Sequence, residues 1–239
     1  MKAQLIDGKR ISAEIKAEAA EEAAALKAKG ITPCLAVVLV GDDSASQVYV
    51  NNKKKACEAV GIHSVSHVLS GGTTEETLLE LIAKLNADKD IHGILVQMPV
   101  PKQIDERKVI LAIDPKKDVD CFHPVNVGNL HTGGEGFLPC TPAGIIELIK
   151  RSGHSIEGKQ CVVIGRSNIV GKPVAMLLMQ ENGTVTICHS RTRNLAEICR
   201  GADIIVSAVG KVNTVTADMV KEGAILIDVG MNRNEAGKL

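Results

Sequence analysis

Aromatic residues are almost missing from this chain of 239 residues, which has one tyrosine, two phenylalanines and no tryptophan. Apolar residues still make up 45% of the sequence, which is too high a share for a disordered chain. A folded core must therefore be built from Ile, Leu, Val, Ala and Met side chains. At about 150 residues per domain, the length fits one large domain or two small ones.

Net charge of either sign and long apolar runs are also missing. The 28 lysines and arginines balance 28 aspartates and glutamates, so no overall positive field attracts nucleic acid or an anionic membrane surface. No run approaches the roughly 18 apolar residues of a membrane-spanning helix, and the first residues lack the apolar segment of a secretory signal. We therefore expect a cytoplasmic protein that binds neither nucleic acid nor membrane.

A pattern of paired or metal-binding cysteines is absent as well. The seven cysteines are odd in number and widely scattered, and they include no C-x-x-C pair. We expect them to be reduced and to serve as small core residues, with no metal site. They are Cys34, Cys57, Cys121, Cys140, Cys161, Cys188 and Cys199.

Short apolar runs alternate with helical segments, a pattern typical of a parallel α/β sheet. In the first half, strands are predicted over 35–41, within 62–70 and over 91–101. Helices are predicted over 12–29, over 43–60 and from 73 onward. This half of the chain therefore predicts an α/β unit with a parallel sheet.

The stretch 114–140 interrupts this alternation with prolines and glycines, and we expect a long ordered connection there. Thr141 is predicted to cap a helix that carries Pro142 in its first turn. Further strands are predicted over 161–165, 184–189, 203–210 and 224–230. We therefore expect two domains, over 1–140 and 141–239.

The segment C-V-V-I-G-R-S-N-I-V-G-K-P runs from a buried strand through a glycine turn into a helix, the setting of a dinucleotide site. The usual G-x-G-x-x-G pattern is imperfect after Gly165. Ser167 stands at the second glycine, Val170 stands at the third, and Gly171 comes one place later. A generic strand-to-helix turn is the alternative interpretation.

The end of the next strand indicates which dinucleotide fits. NAD enzymes place an acidic residue there for the ribose 2′-hydroxyl, whereas residues 189–193 offer hydroxyls and cations and no acid. We therefore expect NADP, with Arg166 and Ser190 contacting the 2′-phosphate. For Arg191 and Arg193, a solvated basic loop is the alternative.

Three consecutive lysines lie on a predicted helix, and helical periodicity separates the first from the others. Lys53 lies in the middle of an apolar stripe, whereas Lys54 and Lys55 point about 100° and 160° away from it. A lysine on an apolar stripe either reaches to the edge of that face or sits in a pocket as an acid–base group. Tyr49 and Ser46 lie on the same face, one and two turns earlier.

Polar residues also occur where the third strand ends. Gln97 interrupts the apolar run G-I-L-V-Q-M-P-V-P at the carboxyl edge, where open α/β sheets bind ligands. Asp118 and Asp120 lie in a proline-bounded loop, and a turn or capping role is the alternative for each. His123, His131 and the other histidines show neither metal-ligand nor catalytic-triad spacing.

Seven segments in this order resemble the bifunctional methylenetetrahydrofolate dehydrogenase/cyclohydrolase family, and together they span nearly the whole chain. They are S-x-x-Y-V-x-x-K-x-K-A (46–56), G-I-L-V-Q-M-P-V-P (93–101), P-K-K-D-V-D (115–120), P-C-T-P-A-G-I-I-E-L-I (139–149), G-R-S-N-I-V-G-K-P (165–173), T-V-T-I-C-H-S-R-T (184–192) and G-A-I-L-I-D-V-G-M-N (223–232). The resemblance implies an N-terminal catalytic domain that binds folate, a Rossmann-like domain that binds NADP, a cleft between them, and a homodimer.

The resemblance also implies roles for individual residues. It places the catalytic lysine at Lys53, the tyrosine that packs on the pterin ring at Tyr49, the strand-end glutamine at Gln97 and the pterin-binding aspartate at Asp120. Further folate contacts are implied for Ser46, Val96 and Met98. Cofactor contacts are implied for Gly165, Arg166, Ser167, Ser190 and Met231.

The implied activity is NADP-dependent oxidation of 5,10-methylenetetrahydrofolate to the 5,10-methenyl compound, followed by hydrolysis to 10-formyltetrahydrofolate. A lysine beside a neutral glutamine suits the proton transfers of hydrolysis and places no full negative charge beside the methenyl cation. A monofunctional NAD(P)-dependent dehydrogenase and a catalytically silent NADP-binding scaffold are the alternatives.

The chain departs from the family pattern in two places. The family commonly has glycine after D-V-D, where this chain has Cys121. Relatives also continue beyond the position of Leu239 with a segment P-V-P-G-G-V-G-P-M-T, which helps to form the folate pocket. We therefore expect a C-terminal piece of the second domain and of the folate pocket to be missing here.

Overall fold

The computed structural model describes residues 3–231, apart from the side chains of Ser44 and Ala45. Eight α-helices and seven β-strands within these residues form two compact units. One unit comprises residues 8–129, and the other joins residues 3–7 to residues 130–231. Each unit has its own parallel sheet, so the predicted α/β fold class is confirmed.

The first unit has a three-stranded parallel sheet in the order β2-β1-β3. Its strands are β1 (Cys34–Val40), β2 (His63–Leu69) and β3 (Gly93–Val96). Its helices are α1 (Gly8–Ala28), α2 (Ser44–Ala59), α3 (Glu75–Ala87), α4 (Glu106–Ala112) and the greater part of α5 (Pro124–Thr132). Strand β1 is buried along almost its whole length, as a central parallel strand requires.

Alternating residues of β1 face two different hydrophobic clusters, one on each face of the sheet. Ala36 and Val38 pack with α3 and α4 residues such as Leu78 and Val109. Val37, on the opposite face, packs with α2. The chain leaves β1 toward one side of the sheet for β2 and returns to the other side for β3. The carboxyl ends of β1 and β3 therefore form the switch point of this sheet, where open α/β sheets bind ligands.

The second unit has a four-stranded parallel sheet in the order β5-β4-β6-β7. Its strands are β4 (Gln160–Ile164), β5 (Thr184–Cys188), β6 (Ile204–Ser207) and β7 (Ile225–Asp228). Its helices are α6 (Cys140–Arg151), α7 (Gly171–Gln180), α8 (Leu195–Gly201) and a short 3-10 helix (Ala217–Met219). Helices α6 and α7 cover one face of the sheet, while α8 and the 3-10 helix cover the other. The switch point of this sheet lies between β4 and β6.

Three local predictions are wrong. The stretch 114–140 is not only a connection, because it contains α5. Pro124 is compatible with the first position of a helix, where the backbone N–H has no partner within the helix. Gly128 has a low helix propensity, so the sequence of this stretch does not indicate a helix. Thr141 is not a cap, because α6 begins at Cys140 with Pro139 before it. Cys140 is exposed, whereas the other six cysteines are buried as expected.

Candidate active site

Helix α2 presents Lys53 toward the switch point of the first sheet. The predicted separation of the three lysines is confirmed, because Lys53 is half-buried while Lys54 and Lys55 are exposed. Burial of Val50 and Cys57, one turn on either side of Lys53, holds this face of the helix against the sheet. At the start of the helix, the side chain of Asp43 accepts a hydrogen bond from the backbone N–H of Ser46 at 2.7 Å.

Gln97 meets Lys53 at the end of β3. The Lys53 Nζ atom donates a hydrogen bond to Gln97 Oε1 at 3.1 Å. The Gln97 backbone N–H donates to the carbonyl oxygen of Val38 in β1, and its Nε2 donates to the Met98 carbonyl oxygen, both at 2.8 Å. Sheet pairing and the side-chain amide therefore fix the oxygen that accepts from the lysine.

Asp120 interacts electrostatically with Lys53, whereas Asp118 has a different role. Burial raises the pKa of the Asp120 carboxyl; Lys53 lowers it, and Asp118 raises it further. Asp118 is buried, and its Oδ2 accepts hydrogen bonds from the His123 backbone N–H and from Asn126. The turn-and-cap alternative thus describes Asp118, while Asp120 lies within the field of the lysine.

Four other residues implied for the folate site have different surroundings. Ser46 is buried, whereas Tyr49 is 42% exposed although periodicity places it on the apolar stripe. Val96 is buried in the cluster that packs on α3, and Met98 packs against that cluster. A folate contact by Val96 would therefore use main-chain atoms, whereas Met98 is only partly buried and Tyr49 offers an accessible ring.

Glycines at the switch point of the second sheet allow the backbone to pack closely. Gly165 has φ +125°, and a Cβ there would lie 2.5 Å from the carbonyl oxygen of Ala208. At the start of α7, a Cβ on Gly171 would lie 2.6 Å from the carbonyl carbon of Gly165. Both positions therefore require glycine, which favours the dinucleotide interpretation over a generic turn.

Ser167 explains the departure from the usual glycine pattern. Its Oγ accepts hydrogen bonds from the backbone N–H groups of Val170 and Gly171, each at 3.2 Å. These are N–H groups at the beginning of α7, which lack partners within the helix. A serine at the second glycine position thus stabilises the start of the helix.

Arg166 and Ser190 follow the ends of neighbouring strands. The last residue pair of β4 and β5 is Ile164 with Cys188, and both Arg166 and Ser190 are exposed just beyond it. Ser190 lies in an ordered turn, in which the His189 backbone N–H donates to Thr192 Oγ1 at 2.8 Å. Arg191 and Arg193 are exposed, in agreement with a solvated basic loop.

Met231, the last of the implied cofactor residues, is exposed after β7. Gly230 before it leaves no room for a Cβ against the carbonyl oxygen of Val209, so the segments after β6 and β7 run close together. Asn232, which ends the seventh segment, lies outside the described residues.

Burial makes several cysteine thiols harder to ionise. Burial raises the pKa of the Cys34, Cys57, Cys188 and Cys199 thiols, and it raises that of Cys161 to about 11. Among residues 3–231, no cluster of three or more His, Cys, Asp or Glu side chains is arranged to hold a metal ion. No helix in this range is both long and apolar enough to cross a membrane.

A parallel sheet with close-approach glycines at its switch point defines the second unit as a dinucleotide-binding domain. Comparison with known proteins agrees. Residues 6–120 match the tetrahydrofolate dehydrogenase/cyclohydrolase catalytic domain, and residues 139–239 match the NAD(P)-binding domain of the same enzymes. The bifunctional protein FolD of Acetivibrio thermocellus is 59% identical over 239 residues, covering 100% of this chain and 84% of that protein.

Two solved structures are also closely similar. FolD from Campylobacter jejuni has a TM-score of 0.95 and 51% identity, covering 98% of this chain and 84% of that one. FolD from Trypanosoma brucei, solved with NADP and an inhibitor, has a TM-score of 0.92 and 40% identity, covering 100% of this chain and 83% of that one. The chain belongs to the tetrahydrofolate dehydrogenase/cyclohydrolase family.

Proposed function

We propose that the protein oxidises 5,10-methylenetetrahydrofolate to 5,10-methenyltetrahydrofolate with NADP and then hydrolyses the product to 10-formyltetrahydrofolate. The hydrogen bond between Lys53 Nζ and Gln97 Oε1 is the observation that carries this proposal in the first unit. It joins the two residues for which the family implies proton transfer, although they are 44 positions apart in the sequence.

Lys53 and Gln97 suit the hydrolytic step. Addition of water to the methenyl cation requires removal of a proton from oxygen, and opening of the ring requires delivery of a proton to nitrogen. An ammonium group that donates to a neutral amide can exchange protons with substrate while its position stays fixed. Because Gln97 carries no charge, the pair places no full negative charge beside the substrate cation.

Asp120 and Tyr49 are proposed to bind the pterin ring. Burial raises the pKa of Asp120, so its carboxyl carries less negative charge at a given pH than a solvated one. A carboxyl group can hydrogen-bond the polar edge of a heterocycle, and the exposed ring of Tyr49 can stack on its face. Substrate binding and proton transfer are thus assigned to different side chains of the first unit.

The glycine turn of the second unit fits NADP. Gly165 and Gly171 leave space for close backbone approach, and Arg166 and Ser190 offer a cation and a hydroxyl at adjoining strand ends. We propose that these two residues bind the 2′-phosphate, with Ser167 and the main chain at Met231 contributing to the same site. Bound NADP would accept the hydride released by the one-carbon bridge of the folate.

We further propose that the protein works as a cytoplasmic homodimer. Five buried cysteines are free thiols, which is typical of a reducing compartment; they are Cys34, Cys57, Cys161, Cys188 and Cys199. The dimer rests on family membership, and light scattering of the purified protein tests it.

The activity is tested by mixing the purified protein with 5,10-methylenetetrahydrofolate and either NADP or NAD. We expect NADPH to form faster than NADH, and we expect methenyltetrahydrofolate to stay below the amount of NADPH because hydrolysis consumes it. Methenyltetrahydrofolate formed in a one-to-one ratio with NADPH would instead identify a monofunctional dehydrogenase. Absence of both products would contradict the proposal.

A further inference from the structure

We propose that Asn126 is a positioning residue for the folate site, where its side-chain amide holds the loop that carries Asp120. This inference rests on the proposed function, because it concerns the binding of the same substrate. Asn126 does not belong to any of the segments that resemble the family. It lies in the first turn of α5 and is 3% exposed.

The loop in question, residues 115–120, is held at its centre by Lys117. The Nζ atom of this lysine donates to the carbonyl oxygens of Leu85, Asn86 and Asp88 at 3.0, 2.9 and 2.6 Å. These carbonyls lie at the C-terminal end of α3, where a cation is favourable. Lys117 therefore ties the loop to a helix end and does not face the substrate site.

Asn126 holds the loop at two further points. Its Nδ2 donates to the carbonyl oxygen of Pro115 at 2.8 Å and to Oδ2 of Asp118 at 2.9 Å. Asp118 also continues the sheet, because it forms a parallel bridge with Ile94 of β3. A single amide thus joins the beginning of the loop to the residue two positions before Asp120.

The remaining neighbours of Asp120 leave it little freedom. Val119 packs so closely on the sheet that a Cβ on Gly93 would lie 2.6 Å from its Cγ1 atom. Cys121, on the other side, is buried. Since both neighbours are packed, a shift of Asp118 after loss of the amide is expected to displace the Asp120 carboxyl with it.

The chemistry of the amide makes Asn126 difficult to replace. Asp118 is a buried carboxyl whose Oδ2 accepts from two neutral donors, the His123 backbone N–H and the Asn126 amide. Removing one donor leaves a buried carboxyl oxygen without one of its hydrogen-bond partners, and such a group moves toward water to regain one. That movement changes the position of the loop that carries Asp120.

The test compares Asn126→Ala with a matched control, Gln103→Ala. The Gln103 side-chain amide also donates two hydrogen bonds within the first unit, but both go to backbone carbonyls, of Gly71 and Thr73, that belong neither to the loop nor to its anchors. Both variants lose two or more hydrogen bonds, so thermal unfolding is expected to fall in both. The Michaelis constant for methylenetetrahydrofolate and the dissociation constant for tetrahydrofolate, from calorimetry, are then measured for each.

We expect Asn126→Ala to raise the Michaelis constant for methylenetetrahydrofolate and the dissociation constant for tetrahydrofolate on the order of 10-fold. The Michaelis constant for NADP should change by less than about 2-fold. Asn126→Ser, which retains one donor, should recover part of the loss, whereas Gln103→Ala should leave folate binding near wild type. Equal folate constants in the two alanine variants, or an equal loss for NADP, would overturn the inference. If the wild type binds tetrahydrofolate but has no activity, the proposed function fails, while the calorimetric comparison still decides the role of Asn126. A wild type that binds no tetrahydrofolate contradicts both.

Discussion

At the switch point of the first sheet, function is assigned to side chains: Lys53 donates to Gln97, and Asp120 lies in the field of that lysine. At the switch point of the second sheet, the essential feature is the absence of side chains at Gly165 and Gly171. Both sites use the same topological position. The difference teaches that the carboxyl edge of a parallel sheet can position reactive side chains, or can form a backbone cradle in which main-chain atoms approach a phosphate closely.

This comparison predicts that adding a single methyl group at Gly171 is highly disruptive. Gly171→Ala should destabilise the protein by about 3 kcal/mol, because the new Cβ meets backbone atoms that cannot move aside. NADPH binding, followed by fluorescence, should be lost with it. The control is Gly144→Ala in α6, where the Cβ meets nothing within 4 Å and should stabilise by about 0.5–1 kcal/mol. If Gly171→Ala has the same free energy of unfolding as Gly144→Ala, the backbone cradle at Gly171 is contradicted.

Arg166 tests whether the second site also uses a side chain for specificity. Arg166→Ala should raise the Michaelis constant for NADP roughly 10- to 100-fold, because a charge-assisted hydrogen bond to the 2′-phosphate is lost. The constant for NAD, which lacks that phosphate, should change little. Arg193→Ala serves as the control for a nearby exposed arginine. An equal change in the Michaelis constants for NADP and NAD would contradict the assignment of Arg166 to the 2′-phosphate.

Asp120 tests the electrostatics of the first site through stability. Burial raises the pKa of the Asp120 carboxyl in the folded protein. The free energy of unfolding should therefore fall as the pH rises above about 4, where an aspartate ionises in the unfolded chain. Asp120→Asn should therefore become increasingly more stable than wild type as the pH increases, in urea unfolding between about pH 3.5 and pH 8.

Glu75→Gln is the control with the opposite sign. Hydrogen bonding from Lys108 lowers the pKa of Glu75, so wild type should gain stability over this variant as the pH rises. A pH-independent difference between wild type and Asp120→Asn would contradict the electrostatic account.

Cys121 tests the backbone of the loop next to Asp120, with the smallest expected effect. Its φ is +58°, which is a conformation that favours glycine. Cys121→Gly should therefore be about 1 kcal/mol more stable than Cys121→Ala. At Cys57, in the interior of α2, the order of the same pair should reverse by a similar amount, because alanine favours helix. Identical orders at both positions would refute the backbone argument.

Much of this molecule follows from local sequence patterns. Parallel strands, alternating helices and the different exposure of Lys53, Lys54 and Lys55 all follow from the spacing of apolar residues. The glycine turn is recognisable because Gly171 packs on Gly165, which is close in sequence, whereas the approach of Gly165 to Ala208 and the helix-capping role of Ser167 are seen only in the structure.

The side-chain contacts of the first site could not be predicted in the same way. Gln97 accepts a hydrogen bond from a residue 44 positions away. Asn126, which contacts Asp118 and Pro115, lies on a helix that the sequence does not indicate because it contains proline and glycine. Hydrogen bonds of this kind depend on tertiary packing, and periodicity carries no information about them. For Cys121, only the structure shows why glycine is favoured at that position.

The most direct test of the central assignment is the ratio of the two activities in Lys53→Met. Because methionine retains the length of the side chain but cannot exchange a proton, cyclohydrolase activity should fall at least about 100-fold, while dehydrogenase activity falls by less than about 10-fold. Lys54→Met, on the exposed face of the same helix, should leave both activities near wild type. Equal loss of both activities in Lys53→Met, with folate affinity preserved, would contradict the assignment of Lys53 to the hydrolytic step.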